Sequence, residues 1–257
     1  MTAAEAFATL VQRPSVPLDE AAALISSVVR PPVEVEGVLH ELDRLAVGCA
    51  TATLAGVRDL LFVREQFRGN TLQYSDPENS LLDAVLDRKK GIPITLAIVM
   101  IEVGRRVGLE LLPVSMPGHF LVLEPASSTF CDPFAGGKTL DERGCRALHD
   151  QVFGGRRTLQ THELLPVSVP LVLARVLNNL EQSAWATLPD MMQRLLQLHA
   201  ALPSLPPGEY LALATRFAGI GHFGDAARAA ERCVERLDGA ERLVAQRAAA
   251  QYWARTN

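Results

Sequence analysis

Two titratable residues and one helix opening carry the chemistry available to this chain. His119 lies in "MPGHF" and Asp132 in "CDPFAGG". A histidine exchanges protons near neutral pH, and a neighbouring carboxylate fixes its ring and tautomer. Such a pair serves a nucleophile. A helix N-terminus is a favoured place for one, because the helix dipole there stabilises a thiolate. The stretch "KKGIPITLAIVM", residues 89–100, has the form of that opening: a glycine and a proline ahead of an apolar helical run. Yet neither cysteine nor serine stands at the opening.

Other residues compete for the missing role. Thr95 is the nearest hydroxyl, but two positions beyond Pro93 is about 200° around a helix. Cys131 is the nearest thiol. It adjoins Asp132 on an expected strand, where neighbours face opposite sides, so an Asp132 aimed at the site sends Cys131 to the core. His119 after a Pro-Gly turn also reads as a structural histidine, and Asp132 before Pro133 also reads as a turn signal. Cys145 and His149 share a helix face at i,i+4, but a lone Cys-x-x-x-His is unspecific, and no metal or other cofactor is expected. "DPFAGGK" fails the phosphate-loop spacing, since Asp132 stands where its first glycine would be; the glycines suit a tight turn.

Elements must position these residues. Periodicity predicts helices over 17–29, 35–46 and 54–61, the first stopped at Arg30-Pro31-Pro32 and the last followed by a Gly69-Asn70 break. After "NTLQYSDPE" a helix begins near Ser80, with Lys89 and Lys90 in its last turn and Gly91 as its C-cap. Pro93 opens the next helix, which ends at Gly108. "LELLPVS", "HFLVLE" and "TFCD" read as strands of a small antiparallel sheet, "PFAGGKTL" as a loop and "DERGCRALHD" as a helix. From Leu164 onward the expected helices are 168–185, 190–201, 207–219, 224–236 and 239–254. The fold class is therefore α+β. Residues 1–163 hold a helical region and a helix-plus-sheet core, and 164–257 an all-helical domain. Leu213, Ala214, Phe217, Gly221, Phe223 and Ala226 match one tetratricopeptide helix–turn–helix unit, and an antiparallel bundle fits the same helices.

Composition narrows the function classes. The 257 residues are 48% hydrophobic and 21% charged, with a net charge of −4. Nothing resembles the basic face that nucleic-acid binding by bulk electrostatics needs. No stretch approaches the roughly 20 apolar residues of a membrane span. The first residues, "MTAAEAFATLVQRP", lack the basic start of a secretory signal. With four cysteines and no Cys-x-x-Cys pair, reduced thiols and a cytoplasmic location are expected.

Four segments together carry a family resemblance: "NSLLDAVLDRKKGIPITLA", "GRRVGL", "PGHF" and "DPFAGG". The chain resembles the SirB-type branch of the transglutaminase-like superfamily, bacterial proteins with a degenerate papain-like core and a tetratricopeptide-like C-terminus. In transglutaminase-like enzymes a Gly-x-Cys-x-x-x-Ala segment carries the nucleophile, and a glycine follows eleven residues after the alanine. Gly91, Ala97 and Gly108 fit those marks (108 − 97 = 11). The cysteine position then falls on Pro93, and the triad reads Pro93–His119–Asp132. The resemblance thus implies a retained frame without its nucleophile and a binding groove at Asn79, Gly91, Pro93, Phe120 and Phe134. The expected function is a non-catalytic module for a protein partner. The alternative is a hydrolase or acyl-transferase using Thr95, Cys131 or a His119-activated water.

Overall fold

In the computed structural model of the chain, residues 1–183 and 188–256 are described. The N-terminal part contains α1 (Ala3–Leu10), α2 (Leu18–Val29), α3 (Val35–Val47) and α4 (Leu54–Arg58), the last running into a π turn at Asp59–Arg64. Then come α5 (Leu82–Arg88) and α6 (Pro93–Arg106). Helix α6 is the centre of the molecule. Every residue from Pro93 to Gly104 is buried, as a helix that is apolar on all sides must be. It packs against α2, α3, α5 and the sheet. Pro93 sits in the first turn, where a missing N–H leaves no helical bond unmade.

The far end of α6 is fixed by charge. Arg106 bonds Asp19 on α2 at 2.7 Å, Asp43 on α3 at 2.6 Å and Glu102 on its own helix at 3.0 Å. Asp19 and Glu102 are both buried. Burial pushes the Glu102 carboxyl up, helped by the charge of Asp19 and opposed by the two arginines. Burial acts the same way on Asp19, but hydrogen bonds from Arg106 and the Glu20 N–H, with the charges of both arginines, prevail and hold it below the usual carboxylate value.

Four strands form an antiparallel meander: β3 (Leu112–Val114), β4 (Leu121–Glu124), β5 (Thr129–Asp132) and β6 (Lys138–Leu140). Val122 pairs with Cys131, and Asp132 with Lys138. One face gives Val122 and Cys131, with the adjacent Phe120, to the core around α6. The other gives Leu121 and Phe130 to a second cluster with Cys145 of α7 (Glu142–Phe153). The sheet therefore lies between α6 and α7. Strand β6 falls inside "PFAGGKTL", read from sequence as a loop. Its residues are exposed or half-buried, so it shows no buried apolar alternation to betray it.

A second difference lies at the α6 entrance. β1 (Arg68–Gly69) and β2 (Lys90–Gly91) form a short parallel bridge. The helix C-cap falls on Lys89, in the left-handed region at φ 54°, rather than on Gly91. Gly91 is needed for another reason: a Cβ there would lie 2.8 Å from Thr95 Oγ1 and 3.1 Å from Val85.

The C-terminal helices are α8 (Val169–Glu181), α9 (Pro189–Ala201), α10 (Pro207–Gly219), α11 (Phe223–Val234) and α12 (Gly239–Trp253). The last expected residues of α8, 184 and 185, lie outside the described residues. One cluster of buried side chains runs from Phe7 through α6 to Ala249, so the core continues across the division expected near Leu164. The chain entering α8 also bonds the sheet edge, Val167 N–H to Pro113 O at 2.9 Å. Among the described residues no helix is long and apolar enough to cross a membrane.

Candidate functional site

The structure brings His119 and Asp132 together. His119 follows a Pro-Gly turn whose Gly118 has φ +73°, and its N–H bonds Met116 O at 3.0 Å. Its Nε2 stands 2.9 Å from Asp132 Oδ1, with both residues buried. The two atoms are close, but the contact does not have hydrogen-bond geometry. Asp132 Oδ1 is instead engaged by two backbone donors, Phe134 N–H at 3.0 Å and Ala135 N–H at 3.2 Å. The carboxylate both neighbours the histidine and caps the loop after β5.

Phe134 links this pair to the start of α6. Its ring meets His119 edge to face at 6.2 Å and Tyr74 at 5.8 Å. It lies over Gly69 on β1, where an added Cβ would come within 2.5 Å of the ring. Strand β1 pairs with β2, and β2 leads into α6. The order of elements read from the sequence thus becomes a contiguous cluster.

The groove expected at five positions is closed at four of them. Asn79, Gly91, Pro93 and Phe120 are all buried; only Phe134 stays half-exposed. Asn79 is wholly enclosed because its amide ties down the 70–80 loop. It donates to Gln73 O at 2.7 Å and Tyr74 O at 3.2 Å, and it accepts from Asn70 at 2.9 Å. Phe120 packs in the core between β4 and α6.

Both candidate substitutes are enclosed. Thr95 is buried and its hydroxyl donates to Asn79 O at 2.6 Å. Cys131 is fully buried on the α6 side of the sheet, opposite Asp132. Burial pushes its thiol up to about 12; the Arg58 charge works against that and the Asp132 charge adds to it. A thiol so placed holds almost no thiolate near neutral pH. Cys145 is likewise pushed up to about 12 by burial and then by Asp141, Glu142 and Asp132. His149 lies against the Phe153 ring at 4.6 Å. Among the described residues no three metal-binding side chains come together.

The sequence reading missed Arg175 on α8. Its Nη1 donates to Ser115 Oγ at 2.6 Å and to Met116 O at 3.2 Å, the same carbonyl that accepts from His119. The guanidinium also lies 5.4 Å from the Phe120 ring centre. The available signal was one cation inside the apolar run "LVLARVLNNL", since a charge among core positions needs a partner.

Residues 19–178, more than half of the chain, match the transglutaminase-like superfamily. The chain is similar to the UPF0162 protein of Xylella fastidiosa (strain Temecula1), 36% identical over 178 residues, covering 66% of this chain and 62% of that relative. It is similar to the UPF0162 protein of Pseudomonas aeruginosa, 37% identical over 106 residues, 41% of this chain and 39% of the relative. F-box only protein 21 of Mus musculus is 30% identical over 137 residues, 49% of this chain and 21% of the relative. The chain therefore spans less than two thirds of the length of these relatives. The matched stretch runs from α2 into α8 and contains the α6 opening, His119, Asp132 and Arg175, and by that match the chain belongs to the transglutaminase-like superfamily.

Proposed function

We propose that the chain is a non-catalytic binding protein that keeps the transglutaminase-like frame as architecture. One observation carries the reading: among the described residues no activated nucleophile stands at the site. Pro93 occupies the position where the resemblance places the cysteine, the Thr95 hydroxyl is engaged by Asn79 O, and the Cys131 thiol is buried and held protonated. Loss of the nucleophile from such a unit costs several orders of magnitude in rate. Proline at this position also removes a backbone N–H suited to an oxyanion. His119 then serves by packing its ring against Phe134, and Asp132 by capping the loop after β5.

The helical C-terminus supplies the surface for a protein partner. Helices α10 and α11 form a hairpin whose buried residues alternate large and small: Tyr210, Leu213, Ala214 and Phe217 against Ala226, Ala227 and Ala230. That pattern supports a tetratricopeptide-like unit, and such units bind partners on their concave faces. Beside it lies a hollow of about 370 Å³ lined by Tyr210, Asp225, Arg228 and Arg232 among others. The test is affinity capture from native cell extract with wild type, Arg228→Glu and His119→Ala. The expected result is a partner retained by His119→Ala and reduced at least tenfold by Arg228→Glu. Absence of any reproducible partner, with a turned-over small molecule found instead, would overturn the reading.

A further inference from the structure

We infer that the open edge of Arg175 is a carboxylate-binding site beside His119, taking a carboxylate group carried by a small acid or by a peptide terminus. The first support is a cation without a counter-ion. Arg175 is largely enclosed between α8, the Ser115–Phe120 segment and Tyr74. Among the described residues no carboxylate pairs with it, and its hydrogen bonds go to the neutral acceptors Ser115 Oγ and Met116 O. Arg106, by contrast, is bound to three carboxylates. A partly desolvated guanidinium without a counter-ion is costly, and an anion at its open edge relieves the cost.

The second support is geometric. Both hydrogen bonds of Arg175 use Nη1, to Ser115 Oγ and Met116 O. They fix the plane of the guanidinium and leave Nε and Nη2 without an acceptor among the described residues. Neither atom is among the sealed polar atoms that lack a partner, so solvent reaches both. Nε and Nη2 together are the parallel two-donor edge that fits one carboxylate bidentately. A single positive charge matches a monoanion, and the planar fork matches a planar acid better than a tetrahedral dianion.

The third support is the surroundings. The Phe120 ring lies beneath the guanidinium and Tyr74, half-exposed, stands beside it. On the other side of Tyr74 a hollow of about 160 Å³ opens, lined by Pro77, Ile92, Asn179 and Gln182 among others. Asp76 also borders that hollow, but its carboxylate is paired with Arg88 at 2.7 Å. Tyr74 is thus shared between that hollow and the surroundings of Arg175. The assignment rests on the non-catalytic reading only in treating the carboxylate as ligand rather than as substrate.

The test is a titration of the full chain followed by the Arg175 Nε–Hε nuclear magnetic resonance signal and the Ser115–Phe120 amides. The probes are sodium acetate, N-acetyl-dialanine, its neutral amide and inorganic phosphate, against sodium chloride at matched ionic strength. Acetate is expected to shift these signals with half-saturation at roughly 1–30 mM, the range for so small a ligand. The neutral amide should leave them unmoved. Arg175→Lys, which keeps the charge but loses the edge, should weaken acetate at least tenfold. N-acetyl-dialanine tighter than acetate assigns a peptide terminus; equal or weaker binding assigns a small acid. No acetate shift beyond that of chloride, equal binding of the amide, or tighter binding of phosphate would each overturn the assignment. The wild-type Nε–Hε signal suffices if the variant fails to fold. Because no turnover is read, a discovered reaction would sink the non-catalytic proposal and leave this result standing.

Discussion

Arg106→Leu is expected to lower the unfolding free energy by about 3–5 kcal/mol, the loss typical when one partner of a buried charge cluster is removed. Arg106 joins three helices through Asp19, Asp43 and Glu102. Without it, the buried Asp19 and Glu102 face each other with only Arg105, itself 58% exposed at its side chain, between them. The loss should also depend on pH with a definite sign. In the native protein Asp19 is held low, so its contribution is present above its unfolded value and lost as pH falls through the folded one. Glu102 is already raised and contributes the opposite slope. In the variant both carboxyls bind protons more readily folded than unfolded, so the variant gains stability as pH falls. Urea unfolding of both proteins at about pH 8 and about pH 5 checks this, because those values bracket the raised carboxyl range. A deficit that shrinks at the lower pH is expected; an unchanged deficit means that the two carboxylates are not coupled through Arg106.

Phe120→Ala is expected to cost about 3–5 kcal/mol, and Phe120→Leu under about 2 kcal/mol. The ring is 1% exposed and fills the space between β4 and α6, with Arg175 above it. Its removal opens a cavity where the sheet meets the central helix and also withdraws the floor of the Arg175 site. Chemical denaturation of the two variants separates volume from aromaticity. A loss below about 1 kcal/mol for the alanine variant would contradict the placement of Phe120 in the main core, since fully enclosed aromatic residues do not come out so cheaply.

How much of this was legible depended on the range of the signal. The long helices were readable because each buries a periodic face, and α6 most clearly, with Pro93 at its start and an apolar run behind it. Three of the four meander strands were readable from "LELLPVS", "HFLVLE" and "TFCD". Strand β6 was not, because an exposed edge strand carries no buried alternation. The β1–β2 bridge was not, because Arg68 pairs with Lys90 through two-residue strands with no period of their own. The ordering of helix opening, histidine and aspartate anticipated that His119 and Asp132 would meet. It misjudged the groove, since Asn79 and Phe120 carry polar and aromatic side chains that suit a binding surface but here close the core. Arg175 escaped notice because its partners, Ser115 and Met116, lie 60 and 59 residues away, and no local pattern encodes them.

The central claim is that no side chain at this site acts as a nucleophile. Its most direct test is to incubate the native chain and His119→Ala with p-nitrophenyl acetate near neutral pH and to locate acetyl groups by peptide mass mapping. The account predicts no stoichiometric acetylation of Thr95 or Cys131, and the same pattern of slow background modification in both proteins. A single acetyl group on Thr95 or Cys131, formed in the wild type and absent from His119→Ala, would contradict it and restore a displaced-nucleophile enzyme.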